Sequence, residues 1–342
     1  MCRRGAISSV LKNRKRMKER SNRPGDFATK SKDALLIGSR GSKLALWQAE
    51  HIKEKILALH PQLDIRIEII KTSGDRMANA PLSIIGGRGV FTKELEEALL
   101  AGRIDLAVHS LKDLPTVLSD DLFIAVITER EDARDALVIR SDIARSFPSL
   151  EDLPEEAIVG TSSLRRLAQL KHLRPSLAIK DLRGNVDTRL RKLDAGEYDA
   201  IVLASAGLLR LGFSQRINQA FAPQTMLPAI GQGALAIETR ADDETTINLV
   251  APLDHAEARA ACTAERAFLR AFSGGCQLPI AAHAMVYEEV LRLDGLVASP
   301  SGERIIRDQI KGATSDAVKL GETLALRLLD KGAQSLLGAL SI

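Results

Sequence analysis

Residues 104–115 read IDLAVHSLKDLP. Ile104, Leu106 and Val108 are apolar at every second position, so a strand enters a core here. Pro115 has no backbone donor and pushes Leu114 away from helix, so the strand has ended before it. His109, Ser110, Lys112 and Asp113 therefore gather at the strand's carboxyl end, which faces the ligand crevice in an open α/β sheet. An acid beside a base at that place can move protons or steady a cation. A Lys–Asp pair on a solvated turn reads the same in sequence.

Upstream, ALLIG is a short strand, Ser39-Arg40-Gly41-Ser42 turns the chain, and LALWQAEHIKEKILALH is a helix. Leu44, Trp47, Ile52, Ile56 and Leu59 give that helix an apolar side. Ser42 suits its N-cap, and the free N–H groups of its first turn, with Arg40, suit an anion. DIRIEIIK alternates as a strand. A long loop, TSGDRMANAPLSIIGGRG, then carries Gly86, Gly87, Gly89 and Arg88 and ends at Phe91; unstructured loops of this length usually act as lids or stay disordered. Thr92 is placed to cap the helix KELEEALLAG, which Gly102 stops. With the opening stretch, this gives a βαβαβ unit ending at Asp113.

The pattern returns after the strand Leu122–Ile127 and a charged connector, Glu129 to Asp135. AIVGTSS is a strand and turn, LRRLAQLKHL a helix, SLAIKDL a strand, and Arg183-Gly184-Asn185 a turn. VDTRLRKLDAG is a helix ended by Gly196, and DAIVLASAGLLRLG is a strand running into a turn with Arg210. GSRGSKLAL in the first unit corresponds to GTSSLRRLA in the second. Two such α/β lobes, each offering helix N-termini and arginines, imply a cleft for an anionic ligand. Arg165, Arg166, Arg183, Arg189 and Arg210 sit at helix starts or strand ends. Surface salt bridges would explain any one of them. Five at equivalent places favour carboxylate recognition by guanidinium forks.

MLPAIGQGALAIETR reads as a turn and a strand returning to the first lobe. EARAACTAERAFLRAF is a helix with Ala261, Ala264, Phe268 and Phe272 on one side and Cys262 as a small buried residue. Cys276 stands in SGGCQLP, framed by glycines, where a thiol is accessible enough to carry a covalent group or to remain inert. The remainder is α+β: IAAHAMVY, VLRLDGLVA and ERIIRDQIKG as strands, then one closing helix. The expected division is a disordered tail at 1–32, one lobe at 33–132 and 231–250, a second at 133–230, and an α+β domain at 251–342.

Composition narrows the class. The 342 residues are 45% hydrophobic and 3% aromatic, so the cores are mostly aliphatic. No apolar run spans a bilayer. The formal charge of +4 hides an asymmetry: residues 1–32 carry +9 and the rest −5. Basicity therefore says nothing of nucleic-acid binding by the folded body. The tail KNRKRMKER fits a solvated segment, a transit-like segment or a nucleic-acid patch; self-repulsion and scant apolar surface favour the first. Three cysteines form no C-x-x-C pair, which points to a reducing compartment. The six histidines are scattered, and no metal site is expected.

VHSLKDLP, GTSSLRRLAQL, DLRGNVDTRL, ASAGLLRLG, GQGALAIE and GGCQLPI, in this order and spacing, resemble the porphobilinogen deaminase (hydroxymethylbilane synthase) family from Leu36 onward. The resemblance implies two periplasmic-binding-protein-like lobes and a smaller C-terminal α+β domain. It implies stepwise joining of four porphobilinogen molecules, each losing ammonia, on a dipyrromethane primer, followed by release of the tetrapyrrole by water. By the same resemblance, Cys276 bears the primer as a thioether and Asp113 is the catalytic carboxylate that stabilises the azafulvenium cation. Ser110, Lys112, Ser162, Ser163, Arg165, Arg166, Arg183 and Arg189 bind the cofactor, and Arg40, Ser42, Arg210, Arg88 and Phe91 bind substrate, with the glycine loop as a lid. Ile84 and Arg88 depart from the family's usual lid residues. The expected partner is porphobilinogen alone, with no nucleic acid and no membrane, for a cytoplasmic monomer. A non-catalytic binder of small anions would share the lobes, but it calls for a secretory signal and has no use for a loop cysteine.

Overall fold

The computed structural model describes residues 34–76, 89–272 and 278–337. Cys276, Ile84, Arg88 and the basic tail lie outside the described residues.

The first lobe opens with β1 (Leu35–Ser39), α1 (Lys43–Leu59) and β2 (Ile65–Ile69). A helical turn at Ser73–Arg76 precedes the undescribed stretch, and α2 (Lys93–Leu100), β3 (Leu106–Ser110) and β4 (Leu122–Ile127) follow it. The side of α1 turned to the core is Ala45, Gln48, Ala49, Ile52 and Ile56. Trp47 and Leu59, expected on the apolar side, are exposed, because the covered stripe is rotated toward the alanines that let the helix approach the sheet. Thr92 stands at the N-cap of α2, but its hydroxyl donates to Glu96 Oε1 (2.7 Å) and so makes no cap bond.

The second lobe holds β5 (Asp135–Ile139), β6 (Ile158–Gly160), α3 (Leu164–Leu173), β7 (Ala178–Lys180), α4 (Val186–Asp194), β8 (Ala200–Ala204), α5 (Ser205–Arg210) and β9 (Gln219–Ala220). Two features depart from the sequence reading. The connector gives way at Asp135 to a strand, β5, buried along its whole length. Arg210 ends a short helix and does not lie on a turn.

β10 (Leu235–Arg240) then returns to the first lobe. The first sheet runs β2-β1-β3-β10-β4 and the second β7-β6-β8-β5-β9. In each, four strands run one way and the fourth in order is antiparallel to both neighbours: β10 against β3 and β4, with Ser110 opposite Leu235, and β5 against β8 and β9, with Asp135 opposite Ala204. The two lobes thus share one strand order, and the ends of β3 and β8 correspond. α6 (Glu244–Val250) packs on the first lobe's core through Ile247, Leu249 and Val250. The C-terminal part is α7 (Ala256–Ala271), a meander of β11 (Ile280–Tyr287), β12 (Val290–Ala298) and β13 (Ile305–Ala313), then α8 (Ala317–Asp330) and α9 (Ala333–Leu337). The closing helix is broken in two at Gly332, whose φ is +92°. The fold is α/β, with two lobes of one strand order and a smaller C-terminal α+β part.

Two crossover segments join the lobes and run side by side. Thr128 N donates to Leu235 O (3.1 Å), Glu131 N to Gly233 O (3.2 Å) and Arg130 Nε to Gln232 O (2.8 Å). A Cβ on Gly233 would lie 2.3 Å from Glu131 O, and its φ is +92°, so only glycine allows this approach. Glu265 on α7 is fully buried and ties both crossovers to the C-terminal part. It pairs with Arg130 (2.6 Å) and accepts from Gly231 N (2.7 Å) and from Ala284 N on β11 (2.7 Å). Removing one member of a buried pair strands the other. Glu265→Ala is expected to lower folding stability by about 3–5 kcal/mol, seen as a fall in the urea midpoint; a midpoint within error of the parent would refute the keystone role.

Candidate active site

The two lobes face each other across a cleft of about 270 Å³, near the lower end for small-molecule sites. The first lobe supplies Arg40, which follows β1, and Ser42, which caps α1 by accepting from Ala45 N (3.3 Å). It also supplies Ser110 at the end of β3. Leu111–Asp113 form a single 3-10 turn there, stopped by Pro115, which seats Lys112 half-buried and Asp113 exposed within the cleft. The second lobe supplies Arg166 from α3, Arg189 one turn into α4, and Arg210 at the end of α5. Phe91 closes one side.

Most of these groups are held by specific partners. Gln48 of α1, buried, donates to Ser110 Oγ (2.9 Å). Arg189 Nε donates to Gly184 O (2.7 Å). Arg210 Nη2 donates to Gly233 O on the crossover (2.6 Å), and its guanidinium lies 5.8 Å from the Trp47 ring centroid. Lys112 Nζ donates to Gln232 Oε1 (3.3 Å). His109 Nε2 lies 3.0 Å from Glu238 Oε2 of β10, so this histidine is engaged beneath the cleft.

Four expected site residues do not line the cleft: Ser162, Ser163, Arg165 and Arg183. Ser162 Oγ both donates to Leu182 O and accepts from Leu182 N (3.0 Å each), stapling β6 to the end of β7. Ser163 caps α3, accepting from Arg166 N (3.5 Å). Arg165 Nη1 donates to Asp135 Oδ2 (2.6 Å) and Leu227 O (2.8 Å). Asp135 also takes Arg166 Nη2 (2.7 Å) and Nε (3.0 Å) and Gln232 Nε2 (3.0 Å). Two of the five arginines expected to clamp carboxylates are therefore neutralised by an internal carboxylate, because a guanidinium out of reach of water needs a fixed counter-charge. Asp135 has no exposed surface, and Arg165 and Arg166 hold its carboxyl well below the usual range against the opposing effect of burial. In sequence it hides among the acids of EREDARD, and nothing there marks it off from Asp132. Gln48 and Gln232 likewise carry no signal beyond being polar residues in apolar surroundings.

Burial acts against the charged forms of Arg189, Arg210 and Lys112. Burial pulls Arg189 down to about 10, with Arg166 and Arg183 adding to the effect and Asp113 opposing it. Burial alone takes Arg210 to about 10, with Glu131 opposing. Burial brings Lys112 down to about 8, Asp113 opposing and Arg166 reinforcing. Of the two acids lining the cleft among the described residues, Asp187 lies 3.7 Å from Lys43 and Asp113 remains exposed. A cluster of crowded cations around one exposed carboxylate suits a ligand with several carboxylates and a few N–H groups.

Fold and cleft together define a two-lobed α/β protein with a cation-lined cleft between its lobes. Residues 35–248 match the family described as porphobilinogen deaminase, dipyromethane cofactor binding domain, and residues 259–330 match its C-terminal domain. Curated relatives named porphobilinogen deaminase include one from Chromobacterium violaceum, 50% identical over 90% of this chain and 98% of its own length, and one from Roseiflexus sp., 51% identical over 90% and 99%. The chain belongs to the porphobilinogen deaminase family, enzymes of tetrapyrrole synthesis with a dipyrromethane cofactor. Among solved structures, the BvgS periplasmic VFT2 domain of Bordetella pertussis is similar over 64% of this chain and 86% of its own, at 14% identity and a TM-score of 0.39. At that score the strand order given above, and not this neighbour, defines the fold. No helix among the described residues is long and apolar enough to cross a membrane.

Lys112 is charged below about pH 8 and neutral above it. Carboxylate binding needs the charged form, so kcat/KM for porphobilinogen is expected to fall as pH rises through about 8. Lys112→Arg, charged throughout, should lose that limb. Identical profiles in parent and variant would assign the limb to another group.

Proposed function

We propose that the chain is a hydroxymethylbilane synthase in which Asp113 acts on each of four successive porphobilinogen units. The observation that carries this reading is the exposed Asp113 carboxylate at the end of β3, set in a cleft lined by Lys112, Arg166, Arg189 and Arg210. The cation left on porphobilinogen when ammonia departs needs a fixed negative charge, and pyrrole N–H groups need an acceptor. Asp113 supplies both. At about 4 Å and an effective dielectric near 20, such a pair is worth roughly 4 kcal/mol before desolvation, about a thousandfold in rate.

The donor set fits dipyrromethane, whose acetate and propionate groups match the cleft cations and whose pyrrole N–H groups match Asp113. When bound, that group supplies the free pyrrole position on which the chain is extended. Lys112, Arg166 and Arg189, with Ser110, are proposed to hold it. Arg40, Ser42, Arg210 and Phe91 are proposed to face the incoming substrate, and Arg88, three residues before Phe91, is proposed to bind it as well. Arg165, Ser162 and Ser163 act at one remove, fixing the elements that carry the cleft residues, and Arg183 adds its charge beside Arg189. Cys276 is proposed as the thioether attachment. The boundaries at 132, 230 and 250 between two lobes and a C-terminal domain belong to the same proposal, as do a cytoplasmic location and a monomeric state.

Asp113→Asn is expected to lose about a thousandfold in turnover with its melting behaviour retained, since bulk is unchanged. Rates near those of the parent in a porphobilinogen consumption assay would remove Asp113 from the chemistry. The intact mass of the purified chain should exceed the polypeptide mass by one dipyrromethane, and the excess should be absent in Cys276→Ser. The same excess in both would place the attachment elsewhere.

A further inference from the structure

Arg40 carries its own carboxylate. Its Nη2 lies 2.5 Å from Asp75 Oδ1 and its Nε 3.4 Å from Asp75 Oδ2, with side chains 21% and 27% exposed. The Phe91 ring lies over the guanidinium, 4.2 Å from centroid to carbon. Gly74 makes that stacking possible, since a Cβ there would meet the ring at 2.1 Å. Arg40 and Phe91 line the cleft, whereas Asp75 stands behind them.

This pairing differs from that of Arg166. Asp135 is sealed and serves two guanidiniums and Gln232, so it cannot let go without stranding buried charge. Asp75 is partly exposed and has a second set of donors. Thr72 Oγ1 donates to Asp75 Oδ2 (2.8 Å), Thr72 N approaches the same oxygen (3.4 Å), and Asp75 N donates back to Thr72 Oγ1 (3.3 Å). Asp75 can therefore release Arg40 and remain hydrogen-bonded. Burial raises its carboxyl pKa, but hydrogen bonds from Arg40 and Thr72 outweigh it and keep the group ionised.

We propose that Asp75 is a positioning residue that exchanges with substrate carboxylates on Arg40, occupying the guanidinium between arrivals and withdrawing to Thr72 when a substrate carboxylate docks. The proposal rests on the reading of Arg40 as a substrate-carboxylate site. The physical need comes from repetition. One catalytic carboxylate serves four additions, so the growing chain has to move past fixed cations. Binding that is equally strong before and after each step slows departure without helping the chemistry. An internal carboxylate that refills Arg40 removes this penalty.

The test is steady-state kinetics with porphobilinogen on the full chain carrying its cofactor, together with intact-mass analysis of enzyme-bound chain lengths during turnover. Asp75→Asn removes the competing charge. It is expected to lower KM about fivefold, the scale of a partly exposed ion pair, to lower kcat by a similar factor, and to enrich partly extended chains on the enzyme. Thr72→Val keeps the charge but removes the second donor, so it is expected to raise KM. A raised KM in Asp75→Asn, or both constants and the mass distribution at parental values, would show that Asp75 only orients Arg40 and would overturn the proposal. Should Asp75→Asn not fold, Thr72→Val decides: a raised KM supports exchange, and an unchanged or lowered KM overturns it. Arg40→Leu separates the two ideas. A parental KM in that variant would sink the reading of Arg40 and the proposal with it, whereas a raised KM with Asp75→Asn failing as described would sink the proposal alone.

Discussion

The Asp135 carboxylate, sealed at the first residue of β5, neutralises Arg165 and Arg166 and holds the Gln232 amide. Two guanidiniums taken out of water would each cost several kcal/mol, and one carboxylate accepting from both offsets much of that cost. Much else follows from it. Arg166 is fixed as a wall of the cleft, and α3 is anchored to the antiparallel strand of its own sheet. Gln232, on the return crossover, is held so that its carbonyl oxygen meets Lys112. The second lobe, the crossover and the Leu111–Asp113 turn of the first lobe are thus joined by one chain of hydrogen bonds.

Glu265 does the corresponding work from the C-terminal part, gathering Arg130, Gly231 N and Ala284 N. Both carboxylates sit where chain segments from different parts of the molecule meet. Such sites cannot be filled by apolar side chains, because the segments bring backbone N–H groups and guanidiniums that need acceptors. The shared strand order of the two sheets explains why the crossovers lie side by side: β5 and β10 each enter antiparallel beside the strand that ends at the cleft.

The cleft itself is built on imbalance. Arg165 and Arg166 are compensated internally, whereas Lys112, Arg189 and Arg210 are crowded and only partly compensated. Carboxylates of a ligand entering the cleft would relieve this crowding. Asp113 is the counterpoint, an exposed acid among the cleft's cations. Arg40 differs again, because its Asp75 partner has somewhere else to go.

Much of this was legible in sequence. The alternation of Ile104, Leu106 and Val108 and the stop at Pro115 placed Lys112 and Asp113 at a strand's end, and the parallel between GSRGSKLAL and GTSSLRRLA revealed two lobes. These are local signals, since period and turn chemistry act over a few residues. MLPAIGQGALAIETR was also legible as a turn and a strand returning to the first lobe, where β10 lies. Tertiary structure alone decided which arginines face a ligand. Arg165 and Arg189 look alike in sequence, but Asp135, 30 residues before Arg165, reaches one and not the other. The stripe of α1 that is buried, the partners of Gln48 and Gln232, and the hold of Asp75 on Arg40 belong to the same class. Each depends on side chains distant in sequence, and the energy of a charge depends on what surrounds it in space.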